Sequence, residues 1–166
     1  MQAEPTSTAA ARYPRIWLGL GGWLLACFAA AAVGGMFIPG EWYASLQKPS
    51  WNPPGWVFGP VWTALYTMMA VAAWLVWKRG GFSAQRRARA LFCAQLILNA
   101  AWTPLFFGLQ QPGLAFAEIV VLWLAIAATL VAFHRVSRAA AWLLAPYLAW
   151  VSFAAALNFT LWRLNA

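Results

Sequence analysis

Five stretches of roughly twenty apolar residues fill nearly all of this 166-residue chain, and a helix of about that length is what a hydrocarbon layer some 30 Å thick demands. They run over about residues 16–38, 56–77, 90–107, 113–133 and 140–162. Lipid offers no hydrogen bonds to an exposed backbone, so five such runs leave room only for short connections. The expected fold is an all-α membrane protein, a five-transmembrane-helix bundle with one folded loop between its first and second helices. A polar N-terminal tail over residues 1–15 precedes a single domain over 16–163. The tail lacks the short apolar core and small-residue cleavage site of a secretory signal, so the first span is expected to remain as a helix.

Composition excludes the rival classes. Only 8% of the residues are charged, against about a quarter in a soluble domain. The net charge of +8 would suit nucleic acid, but its placement argues otherwise. Arg12, Arg15, Lys78, Arg79, Arg86, Arg87, Arg89, Arg135 and Arg138 fall on one side of the expected bundle, and only Lys48 and Arg163 on the other. That asymmetry puts the N-terminus on the cytoplasmic side of a cell membrane and leaves no need for a nucleic-acid partner. Cys27 and Cys93 sit in different apolar runs and read as small buried hydrophobes. No Ser/His/Asp set, metal-ligand spacing or phosphate-cradling glycine loop is present, so no metal site and no required cofactor are expected.

Thirteen tryptophans exceed what two interfacial belts need. Some should therefore line an interior. The longest connection, residues 39–55, carries prolines at 39, 49, 53 and 54 that forbid a continuous helix. Its Trp42, Tyr43 and Trp51, with Trp56 just beyond, fit either an aromatic anchor belt or a lid over a cavity.

Polar residues inside the spans each need a reason. Gln95 and Asn99 share a face of the third span with Trp102; Trp62 and Tyr66 share one on the second; Trp150, Ala154 and Asn158 share one on the fifth. Around one axis these stripes would form a deep, flat-walled pocket suited to a planar ligand. Carboxamides and aromatics in membrane helices also serve as interhelical glue, and spacing alone leaves both readings open. Gln95 is read as glue. Glu118, the one acid within a span, is read as placed near its helix start or snorkelling to the interface. His134 is read as a solvated loop residue. The spacings Ala30-x-x-x-Gly34, Ala31-x-x-x-Gly35 and Ala90-x-x-x-Ala94 permit close helix contact, within the bundle or in a homodimer.

Three motifs then carry a resemblance. Trp42-Tyr43-x-x-Leu46-x-Lys48-Pro49-Ser50-Trp51-x-Pro53-Pro54 is followed by Trp62-x-x-Leu65-Tyr66. The third span holds Gln95-Leu96-x-Leu98-Asn99-x-x-Trp102-x-Pro104-x-Phe106-Phe107-Gly108. The fifth holds Pro146-Tyr147-Leu148-Ala149-Trp150, then Leu157-Asn158 and Trp162-Arg163. In this order they resemble the TspO/MBR family of translocator proteins, also known as peripheral benzodiazepine receptors, whose bacterial members are tryptophan-rich sensory proteins. The resemblance implies a homodimeric five-helix receptor or sensor that binds porphyrins, above all protoporphyrin IX, and isoquinoline carboxamide or benzodiazepine ligands. It implies a part in regulating tetrapyrrole metabolism. The ligand-binding positions it implies are Tyr43, Trp62, Tyr66, Asn99, Trp102, Trp150, Ala154 and Leu157. Transport of tetrapyrroles or lipids is an alternative. So is light-dependent breakdown of protoporphyrin, with Trp62 and Trp150 as the redox-active residues. The family's animal members carry a sterol motif with a central tyrosine. Phe159 stands in that place here, so high-affinity cholesterol binding is not expected.

Overall fold

The computed structural model describes residues 12–80 and 84–166; the tail through residue 11, part of the second connection and the side chains of residues 12–15 lie outside the described residues. Six helices are described: α1 (Arg12–Gly35), α2 (Glu41–Ser45), α3 (Phe58–Trp77), α4 (Arg86–Thr103), α5 (Pro112–His134) and α6 (Arg138–Leu164). A single 3-10 turn, Gly55–Val57, leads into α3, and a π turn, Pro104–Gly108, extends α4. Five of these segments are long and apolar enough to cross a bilayer. Only α2 is not.

The boundaries follow local chemistry. The α1 backbone is already helical at Arg12, four residues before the expected start, because Pro14 falls in its first turn, where a missing N–H removes no intrahelical bond. It ends at Gly35 rather than at residue 38: Met36 and Phe37 turn back on the Val33 and Gly34 carbonyls, and Pro39 follows. Pro104 cannot donate to the α4 ladder, so the chain widens into the π turn, closed by the Leu109 amide on the Pro104 carbonyl at 2.8 Å. Gln110 then adopts φ 55°, which reverses the chain into α5. Ser137 accepts from the Ala140 amide and caps α6. Among the described residues there is no strand.

The spanning helices close a ring in the order α1, α3, α6, α5, α4 and back to α1. Where helices meet, one side is often very small. The Trp77 ring lies over Gly19 so closely that a Cβ there would stand 2.2 Å from it. Gly34 faces Thr103 on α4 and serves packing within the bundle, whereas Gly35, Ala90 and Ala94 point outward. The core toward the charged end is built from small and aromatic apolar residues, among them Ala72, Ala73, Ala88, Phe92, Phe133, Ala140 and Ala141. A cavity of only about 10 Å³ interrupts it. Lys78, Arg79, Arg86, Arg87, Arg135 and Arg138 are exposed at that end.

Two sequence expectations change here. Cys27 is fully buried, but Cys93 lies on the outward face of α4 and is exposed. Glu118 sits well beyond the first turn of α5, and both its oxygens are enclosed by protein with no hydrogen-bond partner. It neither caps the helix nor reaches the interface.

Candidate functional site

Three spanning helices converge on Asn99. Its carboxamide oxygen accepts from the Tyr66 hydroxyl of α3, and its nitrogen donates to the Tyr147 hydroxyl of α6 at 2.9 Å. All three residues are buried. A carboxamide suits this junction because it offers an acceptor and a donor on separate atoms at once. Trp62 leans on both tyrosines, with ring centroids 5.5 Å from Tyr66 and 6.3 Å from Tyr147.

One turn toward the loop, a second polar tie joins α4, α5 and α6. The Trp102 indole N–H donates to Asn158 at 3.0 Å, and the Asn158 nitrogen donates to the Pro112 carbonyl at 2.8 Å. The π turn swings Phe106 beneath Trp102, where the rings stack at 4.9 Å. Phe106, Leu157, Leu161 and Ala115 form a separate small core at this end, with Tyr43 and Trp102 packed against it.

The long connection folds down onto that core. Trp42 and Tyr43 from α2 meet Phe106 edge-on, and Tyr43 also meets Phe107. The Tyr43 hydroxyl donates to Asn52 at 3.3 Å, and enclosure pushes its phenol above the ordinary range, so it remains a neutral donor. Lys48 stands 4.7 Å over the Tyr43 ring and donates to the Ala44 and Leu46 carbonyls, which otherwise end α2 unpaired. Asn165, just past α6, holds both backbone groups of Gln47: it accepts from the amide at 2.9 Å and donates to the carbonyl at 3.0 Å. Trp51 and Trp56 remain exposed on the rim. The connection is thus part cover, through Trp42 and Tyr43, and part exposed aromatic rim.

The residues singled out in sequence fall into three groups. Trp62, Tyr66 and Asn99 meet in the middle of the bundle. Tyr43, Trp102 and Leu157 meet beneath the loop, and Ala154 packs against the main core between them. Trp150 stands apart at the α3–α6 seam, packed on Phe58 and Phe153. Its indole nitrogen is enclosed and has no hydrogen-bond partner. That seam opens into a groove of about 480 Å³, lined by Ala64, Leu65 and Met68 of α3 and by Ala149, Trp150 and Phe153 of α6.

Two residues were missed or misread. Tyr147 is the third member of the Asn99 junction; its place one turn before Trp150 was the available signal. Gln95 is not interhelical glue. It is 1% exposed, and neither end of its carboxamide has a partner.

Comparison with known proteins agrees with this architecture. The TspO/MBR family profile matches residues 23–163. The human protein named "Translocator protein" is 47% identical over 154 residues, 90% of this chain and 91% of that protein. "Tryptophan-rich protein TspO" of Chlorobaculum tepidum is 47% identical over 146 residues, covering 84% of this chain and 90% of its own length. "Tryptophan-rich sensory protein" of Cereibacter sphaeroides is 45% identical over 142 residues, 86% of this chain and 88% of that one. With five membrane-length helices and a match over most of its length, this chain is a multi-pass membrane protein that belongs to the TspO/MBR family.

Proposed function

We propose that the protein is a membrane receptor or sensor that binds a flat tetrapyrrole, protoporphyrin IX in the first instance, within its bundle beneath the 39–55 connection. The observation that carries the reading is the convergence of Trp62, Tyr66, Asn99 and Tyr147 from three helices under an aromatic cover. Flat rings stacked at that junction meet indole and phenol faces, and a polar ring edge meets hydroxyl and amide groups already ordered by Asn99. The ligand stacks on Trp62, Trp102 and Trp150, and Tyr43 closes over it from α2. The named relatives support a sensory role in kind, since one is called a tryptophan-rich sensory protein. The basic end faces the cytoplasm of the host cell membrane, as the exposed Lys and Arg residues there favour.

Purified protein in lipid nanodiscs, titrated in the dark with protoporphyrin IX, tests this. Saturable quenching of tryptophan fluorescence with an unchanged porphyrin spectrum is the expected result. No saturable quenching would sink the reading. The same titration under light separates binding from chemistry: bleaching that disappears in Trp62→Phe and Trp150→Phe would make the protein an enzyme instead.

A further inference from the structure

The geometry points to the α3–α6 groove as the route by which the ligand enters the bundle sideways from the bilayer, with the Trp150 ring as its gate. This rests on the tetrapyrrole reading of the ligand.

The groove's dimensions and walls suit such a passenger. At about 480 Å³ it lies within the range of roughly 300–1,000 Å³ that small-molecule sites occupy. Ala64 of α3 and Ala149 of α6 are both exposed and both line the groove, so a flat ring can lie against the two helices there. Leu65, Met68 and Phe153 complete an apolar surface. A hydrophilic solute gains nothing from these walls, whereas a molecule already dissolved in lipid loses nothing by moving onto them.

The loop end is closed by comparison. Asn165 holds Gln47 through two hydrogen bonds, Trp42 and Tyr43 sit on Phe106, and Trp51 sits on Phe153. Entry there must break those bonds and strip those rings from their partners. Entry at the seam breaks no hydrogen bond of this kind; it must displace Trp150 together with Val61, Leu65 and Met68, the residues that line the groove and also pack on the main core.

No hydrogen bond pins the Trp150 ring. Trp74, Trp102 and Trp123 each donate the indole N–H to a fixed acceptor, at 2.8, 3.0 and 2.8 Å. Trp150 donates to none, so its ring is held by packing alone, and turning it breaks no hydrogen bond. Its N–H is enclosed while the ring is at rest and meets a lone pair on the ligand only once the ring turns. One turn away, Pro146 lines the same groove and withholds the amide that would have bonded the Trp142 carbonyl, which loosens α6 at the groove's edge.

The test measures rates. Nanodisc-embedded protein is mixed with vesicles carrying protoporphyrin IX, and tryptophan quenching is followed by stopped flow. Ala64→Phe and Ala149→Phe fill the groove from positions that face lipid, so the core is untouched. Each should slow association and dissociation alike, by about tenfold, and leave the equilibrium affinity unchanged. Asn165→Ala, which frees the loop, should leave both rates within about twofold of the parent. Unchanged rates in both groove variants would overturn the proposal, as would acceleration by Asn165→Ala. So would lost affinity with a normal association rate, which would make the groove the seat and not the route. If one alanine variant fails to fold, the other carries the test. A parent protein that never quenches brings down the ligand reading itself, before any variant is made.

Discussion

The two halves of the bundle are held together differently. Toward the charged end, helices meet largely through alanine, glycine and phenylalanine, as where Trp77 covers Gly19 and Phe92 stacks on Phe133 at 5.8 Å, alongside the Trp74 indole bond to the Ile16 carbonyl. Toward the loop, they are tied by carboxamides: Asn99 between two tyrosines, Asn158 between Trp102 and Pro112, Asn165 on Gln47. Between apolar helices in lipid there is little hydrophobic drive, so close packing of small residues supplies the attraction at one end. At the other end hydrogen bonds fix which side chains face one another. A site that must present particular faces to a ligand belongs in the second half, and that is where the aromatic and polar groups collect.

Breaking this contrast should produce graded effects. Asn99→Ala has the largest: it leaves the buried Tyr66 and Tyr147 hydroxyls without their shared partner, a loss of about 2–3 kcal/mol. Thermal unfolding in detergent should show it, together with weaker tetrapyrrole binding; unchanged stability would mean the junction is not a structural tie. Gly19→Val tests the packed half. Its side chain collides with the Trp77 ring, and a cost of about 1–3 kcal/mol is expected from the same unfolding measurement, with binding retained. Gln95→Leu sharpens the comparison by reversing the sign. Because the Gln95 carboxamide has no partner, replacing it with an apolar side chain of similar size should stabilise the protein by about 1 kcal/mol. A drop in melting temperature instead would reveal a partner for Gln95. Asn165→Ala has the smallest effect, about 0.5–1 kcal/mol for exposed hydrogen bonds. Limited proteolysis should show it more clearly than unfolding, as faster cleavage within residues 39–55.

Much of the site was legible before the fold. Trp62 and Tyr66, or Gln95, Asn99 and Trp102, share a helix face by spacing alone, and a costly intramembrane Asn draws notice. What spacing cannot reveal is the partner. Tyr147 looked like one more residue of a motif until Asn99 was seen to reach it across the bundle. Gln95 looked like glue between helices, yet neither end of its carboxamide finds a partner. Cys93 looked as buried as Cys27, because an apolar run reads the same on the side facing lipid as on the side facing protein.

The sequence by itself determined that five helices cross a membrane, which ends carry the charge, and where the backbone must break. Span length, cation placement and proline chemistry are local properties. Only the tertiary structure decided how each helix is turned about its own axis. Lipid and protein interior are almost equally apolar, so hydropathy sets no rotation; packing around glycine and the reach of three asparagines set it instead. That rotation joins Asn99 to two tyrosines, leaves Gln95 alone, and turns the unpartnered indole of Trp150 toward the α3–α6 seam.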